Sequence, residues 1–231
     1  MNAHYTYFLI LLLSLLGPLA LSFDKKVAFY KQWRYVFPAM ILPAAFFIGW
    51  DIIFTNNGVW SFNPAYVTGS YIGSIPLEEA LFFFVVPYCC VFIYECIRCY
   101  FPRLQNNRIS ISIFFLLAIA LLIIGLLHRQ AWYTFYTAIF TGVFILLLLL
   151  LYKKVAGFFN FTAFLVAYLI ILLPFLAVNG VLTYLPVVMY NDAHNLGMRI
   201  ITIPVEDIFY GMLLVLMNII IFEKLRSRKA A

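Results

Sequence analysis

Two stretches of the sequence decide the fold. Residues 63–79 read NPAYVTGSYIGSIPLEE, and residues 191–207 read NDAHNLGMRIITIPVED. They align without a gap at an offset of 128 residues, and the identical positions include Asn, Gly, Pro and Glu. Chance similarity between apolar segments does not explain matches of this kind. We therefore interpret the chain as an internal duplication.

The composition around these stretches is that of a membrane protein. The chain has 231 residues, of which 66% are hydrophobic and 10% charged, whereas ordinary soluble domains are about 45–50% apolar and about 25% charged. This excludes a separate nucleotide-binding or DNA-binding domain. The net charge of +6 is interpreted as a topology signal rather than as a nucleic-acid surface. The protein is therefore predicted to lie in a lipid bilayer.

Seven apolar runs are long enough to cross a bilayer, which takes about 20 residues each. They lie at approximately residues 5–23, 35–54, 76–97, 109–127, 131–152, 158–179 and 204–222. Four spans separate each pair of equivalent segments, so both copies cross in the same direction. The predicted fold class is an all-α polytopic membrane protein with two parallel three-helix repeats joined by a linker helix. Within a single membrane domain over 1–231, repeat one covers 1–108, the linker span 109–130 and repeat two 131–231.

The cationic residues predict the orientation. All but two of the 15 Lys and Arg residues follow spans one, three, five and seven; the exceptions are Arg129 and Arg199. The positive-inside rule then puts the N-terminus outside and the C-terminus in the cytoplasm, which requires an odd number of spans. The alternative for the first span is a cleaved signal peptide. That needs a basic leading segment, and residues 1–7 carry no Lys or Arg.

The acidic residues are the first candidates for chemistry. Six of the nine fall toward the outer half of the membrane or its outer loops: Asp51, Glu78, Glu79, Asp192, Glu206 and Asp207. An acid at membrane depth costs about 2.5–3.5 kcal/mol and is usually functional. The alternative is a favourable helix start, with Pro followed by acids, but the dipole contributes only about 0.3–1 kcal/mol per acid. It explains poorly a pair at two equivalent starts. The other three, Asp24, Glu95 and Glu223, are interpreted as interfacial charges.

Aromatic residues accompany the paired acids. Phe82 and Tyr210 follow Glu78 and Glu206 by four residues and so share their helix faces, and Trp60 lies on the same outer side. An interfacial aromatic belt accounts for some of these rings. The alternative is a cavity in which ring faces stabilise a cation.

Signals for bound cofactors are absent from the sequence. No G-x-G-x-x-G fingerprint marks a flavin or nicotinamide fold, and no D-x-x-x-D motif is present to carry magnesium and diphosphate. The three histidines are isolated, so no metal site is predicted. Cys96-x-x-Cys99 permits a metal or redox interpretation, but incidental small residues in a reducing compartment are favoured. We therefore expect no cofactor.

The motifs PLEEALFF at residues 76–83 and PVEDIFYG at residues 204–211 resemble those of the small membrane lycopene β-cyclases. That family occurs as heterodimeric subunits in some bacteria and as fused chains in archaea and fungi; here both halves are fused. The resemblance implies an intramolecular lyase or isomerase that cyclises the ψ ends of lycopene to β rings through γ-carotene. It also implies a plasma membrane location, the inner membrane in a bacterium, with other carotenoid-pathway enzymes as further partners. The second copy departs by having Asp207 for Glu79 and Asn179 for Asp51, which suggests unequal contributions from the two halves.

Cyclisation of this kind needs an acid that protonates a double bond and a base that takes a proton back. We expect Glu78 and Glu206 to be the central acids. Glu79 and Asp207 would tune or relay the proton, and Asp51 would act as a relay or base. Phe82, Tyr210 and Trp60 are the expected cation-stabilising residues.

Three other functions remain open at this stage. A related carotenoid-modifying enzyme, such as a hydratase, would trap the cation with water. A non-catalytic carotenoid-binding protein would keep the aromatic cavity and tolerate loss of the acids. A proton-coupled transporter would also use intramembrane acids, but its acids should lie near mid-span, often in inverted repeats, and here they cluster at one end of parallel repeats.

Overall fold

The computed structural model describes residues 3–227, and the fold is built almost entirely from helices. The α-helices are α1 (Thr6–Leu21), α2 (Trp33–Asn56), α3 (Leu77–Tyr100), α4 (Arg108–Leu127), α5 (Trp132–Leu150), the short α6 (Tyr152–Val155), α7 (Phe161–Tyr184) and α8 (Glu206–Ser227). Seven of the helices in residues 3–227 are long and apolar enough to cross a membrane. The predicted fold class is thus confirmed. Arg228 and Lys229, which contribute to the predicted orientation, lie outside the described residues.

Short strands lie in the two loops that carry the repeated motif. They are β1 (Trp60–Phe62), β2 (Tyr71–Ile72), β3 (Ile75–Pro76), β4 (Val188–Tyr190), β5 (Arg199–Ile200) and β6 (Ile203–Pro204). In each loop a two-residue hairpin, β2–β3 or β5–β6, leads directly into a long helix. Such a hairpin needs positive φ at its turn. Gly73 supplies it in the first copy with φ of 63°, and Ile201 adopts φ of 61° in the second.

The two loops pair with each other through β1 and β4. The strands are antiparallel, with Ser61 opposite Met189, and Trp60 opposite Tyr190. Met189 is the counterpart of Ser61 at the repeat offset of 128 residues. The register is therefore that of a two-fold axis passing between these two residues. An axis of this kind, along the bundle, is what a parallel duplication produces.

Helices α3 and α8 form the centre of the bundle and contact each other. Helix α3 also packs against α1, α2 and α7, while α8 packs against α2 and α5. Helix α4, the predicted linker span, lies against α5 and is mostly unburied. Helices α2 and α7 are offset by 128 residues, but α1 and α5 begin at an offset of 126. The duplication thus contains a two-residue shift between its first and second helices.

Charged residues at the end of the bundle opposite the hairpins form a network on the same axis. Arg98 pairs with Glu223, and its counterpart Arg226 pairs with Glu95 at 2.8 Å. Arg226 also lies 2.6 Å from Glu223, which is 3% exposed. The sequence suggests ordinary interfacial charges for the two glutamates. The structure instead makes them a reciprocal, largely buried ion-pair cluster that joins α3 to α8, because the axis brings these helix ends together.

Candidate active site

A small cavity of about 30 Å³ lies between the helices near the hairpin end of the bundle. Three carboxyl groups line it: Asp51 from α2, Glu79 from α3 and Asp207 from α8. Each of these residues is less than a tenth exposed. Burial of three acids in one apolar bundle is costly unless each finds hydrogen-bonding partners. The cavity is therefore the candidate active site.

The cavity lies on the two-fold axis, because most of its lining residues come as counterparts from the two repeats. The counterpart pairs are Tyr7 and Tyr133, Asp51 and Asn179, Trp60 and Val188, Phe62 and Tyr190, Glu79 and Asp207, and Phe82 and Tyr210. Phe175 and Leu182 complete the lining. The pairs differ in polarity, since the first copy supplies the extra acid and the second supplies two extra tyrosines. One cavity is thus built from two similar halves that are chemically unequal.

Each half contributes a tyrosine that donates a hydrogen bond to an acid. The Tyr7 hydroxyl donates to Glu79 Oε2 at 2.6 Å, and its counterpart Tyr133 donates to Asp207 Oδ1 at 2.6 Å. Tyr190 donates a further bond to Asp207 Oδ2 at 3.0 Å. Both oxygens of Asp207 therefore accept hydrogen bonds, and this arrangement favours its carboxylate form.

The carboxyl groups of Asp51 and Glu79 lie beside each other in this cavity. Two carboxylates this close repel each other in an apolar surrounding, which favours a proton on one of the two groups. The Tyr210 hydroxyl donates to Asp51 Oδ1 at 2.5 Å. The pair is thus a place where a transferable proton is held inside an apolar bundle.

Glu78 and Glu206, the expected central acids, do not line the cavity. Glu78 Oε1 accepts a hydrogen bond from the backbone N–H of Thr68 at 2.7 Å, and Glu206 Oε1 accepts one from that of Leu196 at 2.8 Å. Thr134 donates a second bond to Glu206 at 2.6 Å. Among the described residues, the other oxygen of each glutamate is buried without a hydrogen-bond partner. Both side chains thus tie the hairpin loop to the start of its helix.

The three expected cation-stabilising residues all line the cavity. The Trp60 ring centroid lies 5.2 Å from that of Tyr133 and 6.2 Å from that of Tyr210, in edge-to-face arrangements. Phe82 packs edge-to-face on Phe83. Ring faces attract a cation most strongly where water is absent. A proton held by carboxyl groups beside such rings suits chemistry that begins with protonation and passes through a carbocation.

Sequence reasoning missed Tyr7 and Tyr133, and it placed Tyr190 among the aromatic residues without predicting its hydrogen bond to Asp207. Tyr7 and Tyr133 become counterparts only at the offset of 126 that α1 and α5 show, and the gap-free offset of 128 pairs Tyr133 with Tyr5 instead. Allowing a two-residue shift in the alignment would have found them. Tyr190 is the counterpart of Phe62, so symmetry gives no signal for its hydroxyl group.

Two titratable groups in the loop between α7 and α8 have shifted pKa values. Burial, followed by the nearby charge of Asp207, raises the pKa of Tyr190 well above its usual 10.0, which keeps the hydroxyl a hydrogen-bond donor. Asp192 is exposed, and a hydrogen bond from Asn195 together with its pairing to Arg199 holds the pKa of its carboxyl below the usual range. Asp192 is thus a loop charge, separate from the cavity acids. Within residues 3–227, no cluster of three or more His, Cys, Asp or Glu side chains is arranged to hold a metal.

Comparison with known proteins gives one match. The family model described as lycopene cyclase matches residues 4–97 and again 130–225, so it covers most of the chain in two copies. The two matched segments begin 126 residues apart and end 128 apart, in agreement with the shift between the repeats. A search of curated proteins and a search of solved structures each found no match.

Proposed function

The chain belongs to the lycopene cyclase family, and on this basis we propose that it converts the ψ ends of lycopene to β-ionone rings, through γ-carotene. Family membership and seven apolar helices make it a carotenoid cyclase of a membrane. The observation that carries the finer proposal is the buried Asp51–Glu79 pair, whose members accept hydrogen bonds from Tyr210 and Tyr7 in a cavity lined by aromatic rings. The reaction is an isomerisation, so it needs a proton and no electrons.

In the proposed first step, Glu79 or Asp51 protonates the terminal double bond of a ψ end. The proton adds to the inner carbon of that bond and leaves a tertiary cation on the outer carbon. The pair then carries one more negative charge, which the hydroxyl groups of Tyr7 and Tyr210 stabilise by donating hydrogen bonds. A positioned general acid contributes about 10²–10⁴-fold to such a step.

In the second step, the nearby internal double bond attacks the cation and closes the ring. The positive charge moves to a ring carbon next to the new bond, and loss of a ring proton forms the ring double bond. We assign the acceptance of this proton to Asp207, since the hydroxyl groups of Tyr133 and Tyr190 donate hydrogen bonds to its two oxygens. One proton enters and one leaves, so the atoms balance.

The aromatic residues stabilise the cation between these two steps. Trp60, Phe82 and Tyr210 line the same cavity as the acids, and a ring face contributes about 2 kcal/mol or more to a desolvated cation. The rings also exclude water. This favours loss of a proton over addition of water, which is the step that would make the enzyme a hydratase.

The proposal exchanges the roles within each pair of adjacent acids. Glu79 and Asp207 act on the substrate, whereas Glu78 and Glu206 hold the hairpin loops through Thr68 and Leu196. Glu78 and Glu206 each keep one buried oxygen without a partner in the described part of the chain.

The proposed location is the plasma membrane, the inner membrane in a bacterial host. The hairpin loops would face outward and the Arg98–Glu223 cluster the cytoplasm, as the distribution of cations indicates. Lycopene is the proposed substrate and other carotenoid-pathway enzymes are proposed neighbours that supply and consume carotenoids. No cofactor is included in the proposed reaction.

Expression of the chain in a lycopene-accumulating bacterium tests the function. We expect γ-carotene and β-carotene in the pigment extract, and the same products from purified protein in lipid without added flavin or nicotinamide. Hydroxylated acyclic products would support the hydratase. Bound but unchanged lycopene would support the carotenoid-binding protein. Strict dependence on reduced flavin would contradict the redox-neutral mechanism.

A further inference from the structure

A second space, apolar throughout most of its lining, opens between α1, α3 and α7. Its volume is about 180 Å³. Its wall along α7 runs from Ile171 to Asn179, which is a rise of about 12 Å along the helix axis. Pro18 of α1 and Pro174 of α7 both line it. A proline inside a helix removes a backbone hydrogen bond and bends the helix, so these residues favour a gap here. We call this space the groove.

The groove lies next to the acid cavity. Phe175 and Asn179 line both spaces. The acid cavity lies near the hairpin end of the bundle, while Cys89 and Ile93 place the groove near the middle of α3. A ligand whose end lies beside the acids can therefore extend past the ring of Phe175 into the hydrocarbon depth of the membrane.

At the symmetry-related position, between α5 and α2, aromatic side chains replace the smaller residues of the groove. The groove residues Ser14, Pro174 and Val178 have as counterparts Phe140, Phe46 and Trp50, respectively. These three rings contact one another, with centroids 5.0 Å apart for Trp50 and Phe140, and 5.6 Å for Phe46 and Trp50. A depression lies against these rings, but none of its lining residues also lines the acid cavity. The groove thus shares lining residues with the acid cavity, whereas rings separate the space on the other side from it.

We propose that the groove binds the polyene portion of a linear carotenoid while one ψ end reaches the acids. This inference rests on the proposed function and assigns the substrate subsite. The ligand must be long, thin and apolar, and one of its ends must reach the acid cavity. A linear C40 polyene with a ψ end meets both requirements. The groove faces the lipid between α1 and α7, so it also serves as the route by which the substrate enters from the bilayer. Only one ψ end can enter at a time, and the half-cyclised product must leave and re-enter reversed.

Filling the groove with the residues of the blocked side tests this proposal. The variant Ser14→Phe with Val178→Trp copies Phe140 and Trp50 into the open side. The matched control, Leu13→Phe with Leu173→Trp, places the same two aromatic side chains on the same helices at positions that are 67% and 73% exposed. We expect the groove variant to lose lycopene turnover at least about tenfold at equal abundance in the membrane. The control should stay within about twofold of the unaltered chain.

A binding measurement keeps this test separate from the proposed chemistry. In a Glu79→Gln background, lycopene that co-purifies with the chain is counted per protein by its visible absorbance. We expect the groove substitutions to remove this bound lycopene and the control substitutions to retain it. Val178→Trp alone, a smaller change, replaces the double variant if that one does not accumulate.

Two outcomes would overturn the inference. A groove variant that accumulates normally and both binds and cyclises lycopene like the control would show that the groove holds something else, such as a lipid acyl chain. An unaltered chain that fails to bind lycopene would also contradict it. By contrast, a chain that binds lycopene in a groove-dependent way without cyclising it would sink the proposed function and leave the groove assignment standing.

Discussion

At the scale of single residues, two adjacent acids have different surroundings. Glu78 and Glu79 are neighbours in the first turn of α3, and their side chains point about 100° apart around the helix. Glu79 meets Tyr7 and Asp51 in the cavity, while Glu78 meets the backbone of Thr68. The second copy repeats this division with Asp207 and Glu206. Position within the motif therefore separates a proposed catalytic role from a supporting one.

Substitution of these neighbours tests the division. We expect Glu79→Gln to lower lycopene turnover at least about 100-fold, because glutamine cannot donate a carboxyl proton. Glu78→Gln keeps an oxygen for the Thr68 N–H, so it should cost about 1 kcal/mol or less of stability and less than tenfold in turnover. Turnover is measured in membranes with equal amounts of each variant. A large loss of turnover in Glu78→Gln together with normal turnover in Glu79→Gln would instead assign the central role to Glu78.

The sequence could predict which motifs carry the acids but not which acid faces the cavity. Glu78 is 1% exposed and Glu79 is 8% exposed, so burial does not distinguish them. Which acid faces the cavity depends on where the backbone of the hairpin lies, and tertiary contacts set that position. Tyr7 was missed for another reason. The alignment that the motifs define does not pair it with Tyr133, because the first helices of the two repeats are shifted by two residues.

At the scale of elements, a close helix contact fixes the wall between the cavity and the groove. A Cβ on Gly211 of α8 would lie 2.6 Å from Cζ of Phe175 on α7. Such a distance is too short for two carbon atoms, so only glycine permits this position of the ring. The helices themselves were predictable to within a few residues, because each coincides with an apolar run. The short strands were not, since a two-residue strand has no periodicity to detect.

The substitution Gly211→Ala tests the role of this contact. We expect it to displace the Phe175 ring, to destabilise the chain by about 1–3 kcal/mol and to lower lycopene turnover about tenfold. Gly49→Ala is the matched control, because a Cβ there would meet no heavy atom within 4 Å, and alanine favours a helix. Thermal stability and turnover are measured for both. Wild-type turnover in Gly211→Ala would mean that Phe175 does not border the substrate.

At the scale of the whole molecule, a two-fold axis runs through the β1–β4 ladder, the acid cavity and the Arg98–Glu223 cluster. The duplication was readable from the sequence, and the family match in two copies agrees with it. The sequence does not predict that a single cavity forms on the axis, because this depends on the contact between α3 and α8 at the centre of the bundle. Because the two halves differ in sequence, the nearly symmetric bundle has one cluster of acids and one groove beside the acid cavity.

The orientation of this axis in the membrane is tested by reporter fusions. Because nearly all cations lie on one side, a reporter active only outside the cytoplasm should function when inserted near Asn63 or Asn191. It should be inactive near Gln105. Expression of each fusion is checked separately by an antibody tag. The reverse pattern of activity would contradict the proposed topology.

The central claim is that carboxyl protons in one cavity start the cyclisation, and turnover in deuterated water tests it most directly. Purified protein in lipid is equilibrated in D₂O, which exchanges the carboxyl protons, and is then given lycopene without any cofactor. The account predicts one deuterium per β ring, on the ring carbon that was the inner carbon of the terminal double bond, and no deuterium in unreacted lycopene. Rings formed at a normal rate by equilibrated protein without deuterium at that carbon would contradict a mechanism that begins with a proton from the enzyme.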